Sequence, residues 1–101
     1  MPEMTFTVRW PDGATQQCYS PSLVMHDFLV DQTDYPIDDF MARSTKALNQ
    51  ASERVRAKFG FACTSAAASI DALVQSRARY APGDQGTVTV VGMAPGREAL
   101  S

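Results

Sequence analysis

A long run of regularly spaced apolar residues, closed by a glycine, constrains the fold of this chain more than any other feature. From position 37 onward, apolar and small residues recur at intervals of three and four, which places them on one stripe of an α-helix. The stripe consists of Ile37, Phe40, Met41, Ser44, Leu48, Ala51, Val55 and Phe59. Gly60 follows directly, and glycine readily adopts the left-handed conformation that ends a helix. The sequence therefore predicts a long helix with one buried face.

A second helix is predicted after a short connection. Phe61 and Ala62 leave room only for a tight turn, and Thr64 or Ser65 can cap the helix that follows. One side of this helix is defined by Ala66, Ile70, Leu73, Arg77 and Tyr80. Two helices joined so briefly are expected to pack as an antiparallel hairpin.

Alternating residues at the start of the chain predict a β-hairpin. Met4, Phe6, Val8 and Trp10 are apolar and are separated by polar residues, a period of two that marks a strand with one buried face. The turn residues Pro11-Asp12-Gly13 follow, and residues 14–19 return as a second, more polar strand. Near the other end, residues 87–91 are rich in β-branched side chains and predict a third strand.

The segment from 20 to 35 is less regular. Ser20-Pro21 is typical of a helix start, which favours a short helix over 21–28 with Leu23, Val24 and Phe28 facing inward. An extended connection is the alternative. Residues 31–35 are polar, so we interpret them as a loop.

These elements predict an α+β two-layer sandwich in the order ββ(α)ααβ. A mainly antiparallel three-stranded sheet, with the last strand beside the first, would be covered on its apolar face by the helical hairpin. We expect residues 1–93 to form a single α+β domain and residues 94–101 a flexible C-terminal tail. The other face of the sheet is expected to be polar; a partly apolar face there would favour a homodimer.

Composition limits the kinds of partner and the cellular compartment that we expect for this protein. Nine Lys and Arg against eleven Asp and Glu give a net charge of −2, which argues against a general nucleic-acid binder. The first residues show no secretory signal, and no apolar run approaches the roughly 20 residues that span a bilayer. Two cysteines without an export signal are typical of a reducing compartment, so we expect a cytoplasmic protein with free thiols.

Cys63 is the strongest candidate for a reactive thiol. At the start of the second helix, its thiolate would be stabilised by free N–H groups and by the helix dipole, reinforced by Arg56 and Lys58. The competing interpretation is a small hydrophobic residue buried behind Phe61.

A metal site is a weaker hypothesis. Cys18, His26 and Cys63 together offer three ligands that zinc or copper accepts, but no C-x-x-C pair and no second histidine support them. We interpret His26 instead as a partly exposed residue that titrates near neutrality. No serine has the surroundings of a catalytic nucleophile. The sequence thus predicts no catalytic residues and no cofactor.

Charge is unevenly distributed along the chain. Residues 27–39 carry five aspartates and no basic residue, whereas the long helix is locally basic. The candidate interaction patch consists of Arg43, Lys46, Arg54, Arg56 and Lys58. Such opposed charges favour binding to a protein partner or to a second copy of the chain. The alternative is a solvated helix face with pairs such as Asp39 and Arg43.

Several blocks of the chain resemble one family. They are Met1-Pro2-Glu3-Met4 with Phe6-Thr7-Val8-Arg9-Trp10-Pro11-Asp12-Gly13, Cys18-Tyr19-Ser20-Pro21-Ser22-Leu23-Val24, residues 51–58, and Gly60-Phe61-Ala62-Cys63. Over about residues 1–92 the chain is similar to small bacterial nitrogen-starvation response proteins encoded beside a nitrilase, in gene clusters for growth on nitriles or cyanide. Phe59 stands where relatives are expected to have tyrosine. The resemblance implies a process and no catalytic residues, and it favours a meeting of the Cys18 and Cys63 thiols.

Three hypotheses about function follow. The first is a non-catalytic accessory protein that binds another protein of the nitrogen-starvation or nitrile-utilisation pathway. The second is a thiol or metal site built from Cys18 and Cys63 with the help of His26. The third is a small-molecule sensor with a pocket between the sheet and the helices.

Overall fold

A four-stranded antiparallel sheet and two helices form the two layers of the fold. The structure is a computed structural model that describes residues 3–60 and 64–96. The strands are β1 (Met4–Arg9), β2 (Thr15–Ser20), β3 (Thr33–Pro36) and β4 (Thr87–Ala94), and the helices are α1 (Ile37–Phe59) and α2 (Thr64–Arg77). A 3₁₀ helix over Leu23–Asp27 connects β2 with β3. The predicted α+β class is confirmed.

The predicted hairpin of β1 and β2 is confirmed. Gly13 has a φ of 90° and donates its N–H to the Trp10 carbonyl at 2.8 Å, while the Asp12 carboxylate accepts from the Ala14 N–H at 3.1 Å. The alternation in β1 places Met4, Phe6 and Val8 in the core. The strand order β2-β1-β4-β3 also confirms that the last strand pairs with the first.

The predicted number of strands and the predicted order ββ(α)ααβ are wrong, because residues 33–36 form an additional edge strand between the 3₁₀ helix and α1. β3 pairs with β4, with Tyr35 opposite Val88. Before it, Gln32 adopts a φ of 62° and donates its backbone N–H to the Val90 carbonyl at 2.7 Å. Among the residues of this segment, only Tyr35 is buried. A strand with a single buried side chain has no apolar alternation, and for that reason its sequence resembles a loop.

The connection between β2 and β3 also differs from its prediction in detail. The predicted short helix is a 3₁₀ helix that Ser22, and not Ser20, caps by accepting a hydrogen bond from the Val24 N–H at 3.3 Å. The Ser20 hydroxyl donates to the Ser22 carbonyl at 2.7 Å, which holds the capping residue in place. Val24 is buried as predicted, whereas Leu23 and Phe28 are only partly buried.

Both predicted helices are present and run antiparallel. The predicted buried stripe of α1 is wrong at Phe59, which is 52% exposed at the last position of the helix. Gly60 ends α1 with a φ of 82° and donates its N–H to the Arg56 carbonyl at 2.8 Å, which confirms the glycine stop. Arg77 at the end of α2 lies 3.1 Å from the Asp38 carboxylate at the start of α1. The connecting residues 61–63 lie outside the described residues. Tyr80, predicted on the second helix, follows its end.

One core joins the two layers. Trp10 stacks on Tyr80, with ring centroids 5.7 Å apart, and meets Phe40 edge-on at 5.8 Å. Leu48 belongs to the same buried cluster, and Ile70 packs against it. The helical pair therefore covers one face of the sheet, as predicted. Thr5, Thr7 and Arg9 are not among the buried residues, in agreement with the polar opposite face.

Candidate functional site

Cys18 lies on the inward face of β2, opposite Phe6 of β1. Only 5% of its surface is exposed, and burial raises the pKa of its thiol to about 12. A buried thiolate would lose its hydration without gaining a compensating charge, so the proton is retained. At neutral pH this thiol is a small, nearly apolar side chain and not a nucleophile.

His26 is buried, contrary to the prediction of a partly exposed position. Its exposed fraction is 2%, and its Nε2 lies 3.0 Å from the carbonyl oxygen of Pro95, just beyond the end of β4. Because a carbonyl only accepts, this contact is a hydrogen bond when Nε2 carries a proton. The contact ties the 3₁₀ helix to the end of β4 and gives His26 a structural role.

Cys63, the candidate reactive thiol, lies outside the described residues. The predicted set of Cys18, His26 and Cys63 therefore stays a prediction. Within residues 3–60 and 64–96, no group of three His, Cys, Asp or Glu side chains is arranged to hold a metal ion.

Arg43 has the most contacts of the candidate interaction patch. It forms the expected ion pair with Asp39, one helical turn earlier, at 3.1 Å. It also donates to the Phe28 carbonyl at 3.1 Å and lies 5.1 Å from the centroid of the Tyr35 ring. Arg43 thus connects α1 with Phe28 and Tyr35, which precede the helix.

The remaining basic residues of α1 divide between two sides of the helix. At about 100° per residue, positions 43, 46, 54 and 58 fall within an arc of roughly 120°, whereas position 56 points almost the opposite way from position 54. Arg56 pairs instead with Glu53 at 3.9 Å. We call Arg43, Lys46, Arg54 and Lys58 the basic flank. Arg56 does not belong to the basic flank, and the interaction patch of five residues stays a prediction.

Aromatic and polar neighbours position the basic flank. Lys46 lies over the Phe28 ring at 5.9 Å, and Lys58 over the Phe59 ring at 5.8 Å. Arg54 donates to the Ser22 hydroxyl at 3.4 Å. Among the described residues, Arg43 is the one member of the flank that forms an ion pair within 4.0 Å. The flank therefore presents positive charge beside aromatic rings.

Two polar residues that the sequence interpretation missed connect the sheet with α2. Gln16 accepts hydrogen bonds from the Trp10 indole at 2.8 Å and from the Ser76 hydroxyl at 2.7 Å. Ser69 donates to the Tyr19 carbonyl at 2.7 Å. Counting by twos from the buried Cys18 would have placed Gln16 on the inward face. No comparable signal identifies Ser69, because its partner is a backbone atom of another element.

The geometry defines a small α+β domain with a basic flank on α1 and a buried thiol on β2. A family model described as "Nitrogen starvation-induced protein NitG" matches residues 5–93. The chain therefore belongs to the NitG family of nitrogen starvation-induced proteins. No curated protein matches the chain. No solved structure matches it either.

Neither helix in the described part of the chain combines the length and the apolar character that crossing a bilayer requires.

Proposed function

We propose that this protein is a non-catalytic accessory protein of the nitrogen-starvation response that acts by binding another protein. The partner we propose is a product of a nitrile-utilisation gene cluster, with its nitrilase as the first candidate. The basic flank of α1 is the observation that carries this proposal. Family membership supplies the physiological setting.

The chemistry of the basic flank suits a protein interface. Lys46 and Lys58 place their ammonium groups over aromatic rings, and Phe59 is about half exposed, at 52%. Aromatic and arginine side chains are enriched at protein interfaces, and the flank supplies Arg43 and Arg54. The flank is positive on a chain with a net charge of −2, so an acidic partner surface would be oriented by it.

Co-purification of the full chain with the nitrilase and the other cluster products, from nitrogen-limited cells, tests the proposal. The variant Lys46→Glu/Arg54→Glu/Lys58→Glu should lose the partner, and the wild-type complex should weaken as salt increases. Arg56→Glu is the matched control, since it reverses a charge on the other side of the same helix. A variant that retains the partner as well as wild type does, or wild type without any partner, contradicts the proposal.

The thiol or metal hypothesis is the alternative. The raised pKa of Cys18 opposes its use as a free thiolate, and a metal would have to displace its proton. Elemental analysis of protein purified without an affinity tag, compared with a Cys63→Ser variant, distinguishes the two hypotheses.

A further inference from the structure

An open groove separates the outer edge of β2 from α2. It has a volume of about 340 Å³. Its strand side is formed by Gln17, Cys18 and Tyr19, and its helix side by Ser65, Ala68, Ser69 and Ala72. None of these residues belongs to the basic flank.

The strand side of the groove offers backbone hydrogen-bonding groups. β2 is one of the two edge strands of the sheet, and the Tyr19 carbonyl points toward α2, where it accepts from Ser69 at 2.7 Å. In an antiparallel strand, alternate residues direct both N–H and C=O to the same side. Gln17, two residues earlier, therefore directs both groups into the groove. Within the described residues, these two groups meet no hydrogen-bond partner across the groove. An edge of this kind is a template for another strand.

The helix side leaves space for such a strand. Ser65, Ala68, Ser69 and Ala72 are spaced by three and four, so they share one face of α2. None of them extends beyond a methyl or hydroxyl group, and Ala68 and Ala72 are exposed. Larger side chains at these positions would close the gap.

The floor of the groove is formed by Cys18. Its thiol is more than nine-tenths buried, lines the groove and has no hydrogen-bond partner among the described residues. An aliphatic side chain that enters here would cover the thiol without leaving a polar group unsatisfied.

We propose that this groove binds an extended segment of another protein, which adds to the edge of β2 as a fifth strand. Its backbone pairs with the N–H and C=O of Gln17, and a small aliphatic side chain packs on Cys18 between Ala68 and Ala72. The groove, with a volume of about 340 Å³, has room for a short stretch of extended chain and not for the surface of roughly 800 Å² per partner that a stable interface buries. The size of the groove therefore fits a short segment better than a second copy of the chain. The proposal does not depend on the basic flank.

Selection of a library of random ten-residue peptides on the full chain tests this proposal. The tightest peptide is then labelled and its affinity is measured by fluorescence anisotropy. We expect Ala68→Leu to weaken binding by at least about tenfold, because the new side chain fills the groove. Ala67→Leu, exposed on the same helix but outside the groove, should bind as wild type does. Circular dichroism verifies that both variants are folded.

A second measurement locates the backbone pairing. Hydrogen exchange of the Gln17 amide should slow when the peptide is bound, and N-methylation of the paired peptide residue should weaken binding about tenfold. The proposal is overturned if no peptide is selected, or if every selected peptide binds Ala68→Leu and wild type equally. A dimer in sedimentation velocity that Ala68→Leu dissociates would assign the groove to a second copy and also overturn it.

Discussion

At the scale of single residues, burial decides the chemistry of the side chains that the sequence singles out. Cys18 and His26 are both metal-ligating types, but each is more than nine-tenths buried and serves the packing of β2 or of the 3₁₀ helix. The sequence shows which residues carry reactive atoms, whereas solvent access depends on what packs over them. For Cys18 that covering includes Phe6, its direct neighbour on β1.

The raised pKa of Cys18 predicts a specific alkaline instability. The thiol has an ordinary pKa of 9.0 and a folded pKa of about 12, so its contribution to stability is complete below pH 9 and is lost as the pH rises toward 12. In a Cys63→Ser background, the free energy of unfolding should fall in this range by up to about 1.4 kcal/mol per pH unit more than in a Cys18→Ala variant. Urea unfolding at several pH values measures the difference. If the free energy of unfolding changed with pH to the same extent in both proteins, the Cys18 thiol would have an ordinary pKa.

At the scale of elements, α1 could be predicted almost completely, whereas β3 could not. The buried residues from Ile37 to Val55 recur at helical spacing within one helix, so the buried face can be identified from the sequence. β3 depends on a partner far along the chain, because Tyr35 pairs opposite Val88 of β4. A short polar strand of this kind is stabilised by pairing rather than by its own pattern.

The glycine at the end of α1 gives a prediction at this scale. Gly60 has a φ of 82°, and a Cβ there would meet no atom of residues 3–60 and 64–96 within 4 Å, so we attribute the cost of substitution to the backbone conformation. Gly60→Ala should lower the free energy of unfolding by about 1 kcal/mol, and Gly60→Asn by less, because asparagine tolerates the left-handed region better. The denaturant midpoints of the two variants, compared at an unchanged m-value, measure both losses of stability. Equal midpoints for wild type and Gly60→Ala would contradict a left-handed end of the helix.

At the scale of the whole molecule, the two layers share one core and should unfold together. Leu48 of α1 is fully buried in the cluster that also contains Trp10 and Phe6 of the sheet. Contacts of this kind make each layer depend on the other, as expected for a small domain with one cooperative transition.

A substitution in this core tests that dependence. Leu48→Ala should cost about 2–5 kcal/mol, because it removes a buried side chain and leaves a cavity. Val74→Ala, at a residue of α2 that is 51% exposed, should change stability by less than about 0.5 kcal/mol. Unfolding followed by Trp10 fluorescence reports the sheet side, and far-UV circular dichroism reports mainly the helices. Transitions at different denaturant concentrations would mean that the layers unfold independently.

The two candidate surfaces differ in how much of each could be predicted from the sequence. The basic character of α1 was apparent from residue types, and helical geometry alone separates Arg56 from the other four residues. A pocket between the sheet and the helices was one hypothesis, but the position of the groove beside β2 was not apparent. It needs an edge strand and a helix that are about fifty residues apart, as the contact between Tyr19 and Ser69 shows. Its walls contain no residue that is unusual by itself.

The sequence by itself determined the hairpin, both helices and most of the face that α1 buries, because these features depend on a repeat of two to four residues within one element. Only the tertiary structure decided the fourth strand, the burial of His26, the protonated state of Cys18 and the open edge of β2. Each of these depends on which distant segment packs against the residue, and solvation and hydrogen bonding change with that neighbour.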